Sequence, residues 1–114
     1  MSKPLYQAKA EFLRTLGHPA RIRILELLSE RDHAVHELLE QIAIEPSNLS
    51  QQLAVLRRAG LVASQRRVGE VVYSLSVPEV REFLLSARRL LSSLAAAQTD
   101  FEPELAPTAR TSAR

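Results

Sequence analysis

The sequence contains no cysteine and no tryptophan, and only three of its 114 residues are glycine. The absence of cysteine excludes disulfide scaffolds, thiolate metal sites and cysteine nucleophiles. So few glycines leave little material for a loop that cradles phosphate groups. No apolar run reaches the ~18 residues of a membrane span, and no apolar N-terminal stretch indicates a secretory signal. We therefore expect a cytoplasmic protein with no membrane association.

The composition is 46% hydrophobic and 25% charged, which at this length is typical of one globular domain. Hydrophobic periodicity extends through residues 1–97, which we predict to form that domain. Beyond residue 97 the periodicity stops and two prolines follow, so residues 98–114 are predicted to be a disordered tail. No nucleophile with an evident base and no G-x-S-x-G motif is present, so we do not expect an enzyme.

The formal net charge of +2 is unevenly distributed along the chain. Residues 46–69 contain four arginines and no acidic residue, and Glu45 and Glu70 stand just outside this segment. One basic segment in an otherwise balanced chain favours an anionic partner such as nucleic acid. A solvated surface with no partner would carry the same charge and is the alternative.

Prolines and glycines divide the first 97 residues into helical segments. Proline opens or precedes each of several apolar-periodic runs, where a missing backbone N–H costs a helix nothing. Gly17 and Gly60 each follow such a run, where a left-handed cap is expected. The spacing predicts helices over residues 4–16, 19–30, 34–42 and 47–59, and a longer amphipathic helix after Pro78.

Residues 61–76 follow a different pattern. β-Branched and aromatic residues flank Gly69 on both sides, which predicts a two-stranded hairpin with arginines near its tip. The predicted fold is therefore mainly α with a two-stranded β-wing, in the order α-α-α-α-β-β-α. This order is typical of a winged helix-turn-helix protein.

The helix predicted over residues 47–59 has two dissimilar faces. At about 100° per residue, Leu49, Leu53 and Leu56 share one side and are expected in the core. The rest of its surface is rich in hydroxyl, amide and guanidinium groups, which suit base edges and phosphates in a DNA major groove. A polar, solvated face is the alternative. The residues predicted to contact DNA are Ser47, Asn48, Ser50, Gln51, Gln52, Arg57, Arg58, Arg66 and Arg67.

The first and last predicted helices carry more apolar surface than one small core can cover. Such a surplus indicates a second copy of the chain, paired about a two-fold axis. Two recognition helices held roughly 34 Å apart, or a small multiple of that, would require an inverted-repeat operator. The residues predicted to form the homodimer interface are Leu5, Phe12, Leu16, Phe83, Leu84, Leu90, Leu91 and Leu94.

Two segments resemble the ArsR/SmtB-type winged-helix repressors. Residues 12–25 (FLRTLGHPARIRIL) are similar to the signature of that family's second helix, and residues 50–62 (SQQLAVLRRAGLV) to its recognition helix and the turn into its wing. The resemblance extends over about residues 5–96. It implies a homodimeric transcriptional repressor that binds an imperfect inverted repeat of double-stranded DNA and dissociates when an inducer binds.

The resemblance also implies metal-sensing sites, and the sequence departs from both familiar ones. The family's Cys-Val-Cys motif on the third helix matches Ala34, Val35 and His36. The Asp and His ligands of its last helix match Val77, Glu79, Leu90 and Ser93. His33 and His36 remain candidate ligands for Ni²⁺ or Zn²⁺ as an effector, if the third helix starts early enough to place both on one face. Two solvated histidines are the alternative.

The sequence therefore predicts a sequence-specific DNA-binding regulator, most simply a repressor released by a metal, another inducer or a separate sensor protein. A winged-helix adaptor that binds proteins, with no DNA binding or inducer sensing of its own, is the second interpretation. Arginines at the hairpin tip favour the regulator, because an adaptor has no need of them.

Overall fold

The computed structural model describes residues 2–97, and the tail predicted over residues 98–114 lies outside the described residues. The chain divides into two compact units, Met1–Arg81 and Glu82–Arg114. Within the described residues, no helix is long and apolar enough to cross a membrane. The elements in chain order are α1 (Leu5–Leu16), α2 (Pro19–Glu30), β1 (His33–Ala34), α3 (Val35–Gln41), α4 (Pro46–Arg58), β2 (Val62–Arg67), β3 (Glu70–Leu75) and α5 (Glu79–Ala97).

Proline marks the start of the helices as the sequence predicts. Pro19 and Pro46 are the first residues of α2 and α4, where the first backbone N–H has no partner within a helix. The left-handed cap expected at Gly17 is wrong, because Gly17 has φ −75° and ψ 51°. The chain turns there through a tight bend in which His18 N donates to Leu16 O at 2.7 Å.

The end of α4 is fixed by a glycine motif that leads directly into the wing. Gly60 has φ +81°, a conformation that a side chain would strain. Its N–H donates to Arg57 O at 3.0 Å, and Leu61 N donates to Leu56 O at 3.0 Å. These two bonds and the buried Leu56 and Leu61 make up a Schellman motif. The direction from α4 into β2 is therefore set by backbone hydrogen bonds.

The strands form one antiparallel sheet in the order β1-β3-β2. Strands β2 and β3 form the predicted hairpin, with Arg67 paired to Glu70 across a two-residue turn. The third strand was not predicted: His33 pairs with Tyr73 and Ala34 with Val72. A strand of two residues has no alternation to detect, and it exists because β3 offers an edge beside it.

The core of the Met1–Arg81 unit lies between α2, α3, α4 and the sheet. Leu49, Leu53 and Leu56 of α4 are buried as their spacing predicts. They join apolar side chains of the other elements, including Ile24, Leu25, Leu28, Leu38, Val62 and Val72. Burial of this side of α4 leaves its polar side facing outward.

Val68 at the tip of the hairpin occupies a backbone conformation that its side chain disfavours. It has φ +42° and is fully exposed, and Gly69 beside it has φ +82°. A two-residue turn with both φ values positive favours Asn-Gly, whereas a β-branched residue is strained in it. Val68→Asn is therefore expected to raise the free energy of unfolding by about 1 kcal/mol, measured by urea denaturation. Val68→Ile, which keeps the β-branch, should leave it unchanged, and an asparagine variant no more stable than the parent would contradict the assignment.

Candidate nucleic-acid interface

The outward side of α4 carries short polar side chains followed by arginines. Ser47, Ser50 and Gln51 are exposed in its first half, and Asn48 is half-buried at the third position of the helix. Arg57 and Arg58 are exposed in its last turn. Hydroxyls and amides at the N-terminal half and cations at the C-terminal end are the groups that read base edges and hold phosphates.

Gln52 does not belong to this outward side, contrary to the sequence prediction. Only 7% of it is exposed. Its Oε1 accepts from Arg21 Nε at 2.8 Å, and its Nε2 donates to Asn48 Oδ1 at 2.8 Å. Gln52 shares the helical sector of Leu49 and Leu56, so its position on the helical wheel carried the signal that it faces inward. Arg21 was missed as well, although it falls on the side of α2 that carries the buried Ile24 and Leu28.

The wing continues the basic surface from the end of α4. Arg57 Nη1 donates to Ser64 Oγ at 3.1 Å, which joins the last turn of the helix to β2. Alternate residues of a strand share a face, so Arg66 lies on the same side of β2 as Ser64. The side chain of Arg66 makes no hydrogen bond or ion pair to any residue within the described range 2–97.

Arg67 lies on the opposite face of β2 and is already engaged. Its Nε and Nη2 donate to Gln65 Oε1 at 3.3 and 3.1 Å, and its Nη2 stands 3.5 Å from Asp32 Oδ2. All of these groups are exposed, so the ion pair is weak and can be exchanged. Among the described residues the Arg66 side chain therefore has no partner, whereas the Arg67 side chain already contacts Gln65 and Asp32.

The start of α3 is held by a carboxylate at its N terminus. Glu37 Oε1 accepts from Ala34 N at 2.8 Å, and Arg31 Nη1 donates to the same carboxylate at 3.3 Å. The Ala34 N–H, with Arg31 adding to it, holds the pKa of Glu37 below its ordinary value. The charged form of Glu37 therefore caps α3, the helix that leads into α4.

The histidines that the sequence offered as metal ligands lie in different elements. His33 is in β1 and only 3% exposed, and its Nδ1 stands 2.9 Å from Arg31 O. His36 is exposed on α3, with its Nε2 3.2 Å from Glu70 Oε1. The helix starts at Val35, so the expected i, i+3 pair on one helix face does not exist. No group of three His, Asp or Glu side chains within residues 2–97 is placed to hold a metal ion.

The residues predicted to pair two chains differ in their exposure. In α1, Leu5 is exposed and Phe12 half-buried, but Leu16 is only 3% exposed. Leu16 therefore belongs to the core of a single chain, and its place in a predicted interface is wrong. In α5, Phe83, Leu90, Leu91 and Leu94 are exposed and Leu84 is half-buried.

Comparison with known proteins places this geometry among bacterial regulators. Residues 18–64 match the family model described as bacterial regulatory protein, arsR family. The chain is 58% identical over 92 residues to the HTH-type transcriptional regulator Rv0081 of Mycobacterium tuberculosis, an alignment that covers 80% of this chain and 81% of the relative. The crystal structure of Rv0081 has a TM-score of 0.78 with this chain, at 54% identity, and the match covers 85% of this chain and 98% of that one.

Two further relatives differ from each other in the direction of regulation that their names state. The transcriptional repressor BigR from Xylella fastidiosa has a crystal structure with a TM-score of 0.70, at 33% identity over 75% of this chain and 87% of that one. The transcriptional activator HlyU of Vibrio cholerae is 36% identical over 78 residues, which covers 68% of this chain and 72% of the relative.

Proposed function

Because this chain is a winged helix-turn-helix, DNA-binding transcriptional regulator of the arsR family, we propose that it is a repressor that binds an inverted-repeat operator as a homodimer. The N-terminal half of α4 enters the major groove of each half-site, and the arginines of α4 and of the wing hold the flanking phosphates.

One observation carries the proposal: the outward side of α4 and the wing form a continuous polar and basic surface. The segment from residue 46 to residue 69 contains four arginines and no carboxylate. The Arg57–Ser64 hydrogen bond joins its two halves. A surface of this kind attracts a polyanion and offers donors and acceptors to base edges.

The homodimer is supported by apolar side chains that a single chain leaves in water. Leu5 and Leu13 are exposed on α1, and Leu90, Leu91 and Leu94 are exposed on α5. Water-exposed leucines in such numbers mark an interface in a soluble protein. We infer that a second copy of the chain covers these leucines, because a two-fold symmetric dimer matches the two-fold axis of an inverted-repeat operator.

The test is a binding experiment on genomic fragments from around the gene. We expect one or a few fragments to bind with nanomolar affinity and to show an inverted repeat on footprinting, with two chains bound per repeat. Affinity for random DNA should be at least about 10³-fold lower. Equal affinity for all fragments would overturn the sequence-specific part of the proposal, and no binding at low salt would overturn DNA binding itself.

The direction of regulation needs its own measurement, because similar proteins include both a repressor and an activator. Transcription in vitro from a promoter that carries the footprinted repeat should fall when the protein is added. A rise in transcript would replace repression by activation and leave the DNA contact standing.

Gln51 is the side chain on the outward face of α4 best suited to read a single base. It is exposed near the middle of the helix, and its amide can pair with an adenine edge. Gln51→Ala is expected to relax specificity at one base pair of each half-site by about 1–3 kcal/mol, measured by competition with operators substituted at every position. Affinity for random DNA should stay the same, and equal losses on operator and random DNA would contradict a base-reading role.

A further inference from the structure

A series of part-buried polar contacts runs from the end of α1 through α2 to the outward side of α4. Arg21 in α2 donates from Nη1 to Thr15 O at 3.0 Å and from Nε to Gln52 Oε1 at 2.8 Å. Gln52 in turn donates from Nε2 to Asn48 Oδ1 at 2.8 Å. Of these four residues, only Asn48, at the third position of α4, also lies on the proposed DNA surface.

The chemistry of Arg21 determines which way the side-chain amides of Gln52 and Asn48 are oriented. A guanidinium has donors and no acceptor, so the atom of Gln52 that faces Arg21 must be the oxygen. The other end of the Gln52 amide is then its NH₂ group, which can only donate, so the atom of Asn48 that faces it must also be an oxygen. The two N–H donors of Asn48 Nδ2 are left, and they bond to no residue in the described part of the chain.

We propose that Gln52 is a positioning residue that sets the base preference of Asn48. With Oδ1 directed at Gln52, Asn48 presents its NH₂ donors to the major groove. Such donors pair with the acceptors of a base edge, of which guanine presents two (N7 and O6) and thymine one (O4), whereas adenine presents N7 beside an amino group that is itself a donor and cytosine presents only an amino group. Residues in the first turn of a recognition helix reach base edges. Each half-site should therefore favour guanine or thymine opposite Asn48 over adenine, and most of all over cytosine, which offers no acceptor in the major groove. This inference rests on the proposed DNA contact.

Gln52→Glu tests the orientation of the Asn48 amide while it leaves the size of the side chain at position 52 almost unchanged. A carboxylate of nearly the same size still accepts from Arg21, but it has no proton to give to Asn48. The Asn48 amide must then rotate so that its NH₂ group donates to the carboxylate at position 52 and its Oδ1 faces the groove. The preferred base should change from guanine or thymine to adenine or cytosine at the same position. Gln41→Glu adds an equal charge at the end of α3 and serves as the control for charge alone.

The first measurement uses the full-length protein without DNA. Side-chain amide protons observed by NMR should exchange slowly with water at Gln52 and rapidly at Asn48. In Gln52→Glu the Asn48 amide protons should become slow, and in Gln41→Glu they should stay rapid. Slow exchange at Asn48 in the unsubstituted protein would show that its NH₂ points inward and would overturn the inference before any DNA is added.

The second measurement selects operators from a pool randomised within the footprinted repeat. The unsubstituted protein and Gln41→Glu should share a keto-base preference at one position of each half-site, and Gln52→Glu should reverse it, with about a tenfold change in relative affinity. If Gln52→Glu fails to fold, Asn48→Ala replaces it and should abolish the preference at that position alone. An unchanged preference in a folded variant overturns the inference and leaves DNA binding intact, whereas no binding by the unsubstituted protein overturns the proposed function and the inference with it.

Discussion

Leu91→Asp is expected to separate the proposed homodimer into monomers and to lower affinity for the inverted repeat by about 10²–10⁴-fold. Leu91 is 50% exposed on α5, within an apolar stripe that also includes the exposed Leu90 and Leu94. Two-fold symmetry would place one carboxylate from each chain in the interface, and an unpaired buried charge costs several kcal/mol. Loss of pairing leaves each recognition helix to bind its half-site alone, which removes the gain from joint binding.

The measurement is sedimentation velocity on the variant, followed by titration of the operator. Ser92→Asp is the matched control, because Ser92 is exposed, lies outside the apolar stripe and receives the same charge. The control should remain dimeric and bind with nearly the original affinity. A Leu91→Asp protein that sediments as a dimer would place the interface elsewhere. A monomer that keeps full affinity would show that pairing and DNA binding are independent.

The helices and the hairpin were predictable because proline, glycine and apolar spacing agree along this chain. The predicted helix over residues 19–30 matches α2, and the predicted hairpin over residues 61–76 contains β2 and β3. Each local signal has a physical cause that operates within a few residues, such as the missing N–H of Pro46 or the left-handed cap at Gly60. The strand β1 was not predictable in this way, since His33 and Ala34 become a strand only where β3 offers them an edge.

The sequence indicates where the candidate site lies, but it says less about which side chains of α4 face outward. Spacing identifies which side of α4 is buried, and the arginines follow from charge alone. The prediction that Gln52 faces outward is wrong because it rested on the amide group that Gln52 shares with Gln51. The angular position of Gln52 on the helix instead matches that of the buried leucines. The partners of a buried amide depend on contacts between elements far apart in sequence. Arg21 stands 31 residues before Gln52, a separation that no local pattern covers.

The difference between Arg66 and Arg67 is also beyond the sequence, because both are arginines at adjacent positions in a strand. Strand alternation alone places them on opposite faces of the predicted hairpin, but only the fold shows that Arg67 stands beside Asp32 and that Arg66 has no such partner among the described residues. The sequence predicts equal roles for them. Because Arg67 has partners that Arg66 lacks within residues 2–97, we expect Arg66 to be the stronger phosphate contact of the pair, and this difference can be measured.

Arg66→Ala is expected to lower affinity for operator and random DNA alike, by about thirtyfold at 0.15 M salt. A homodimer loses two phosphate contacts through one substitution, and each contact releases close to one counterion on binding. The slope of log affinity against log salt should therefore fall in magnitude by about 1.8. Gel-shift titrations at four salt concentrations on the operator and on a random duplex of equal length measure both quantities.

Two variants make this result specific to a phosphate contact by Arg66. Arg66→Lys keeps the charge and should preserve the slope, because a lysine ammonium also releases a counterion. Arg67→Ala should lower affinity less than Arg66→Ala does, since Arg67 gives up its ion pair with Asp32 when it reaches a phosphate. A loss confined to the operator would instead assign Arg66 to base reading in the minor groove. Equal losses from the two alanine variants would mean that the Asp32 pair does not persist in solution, and the two wing arginines would then contribute alike.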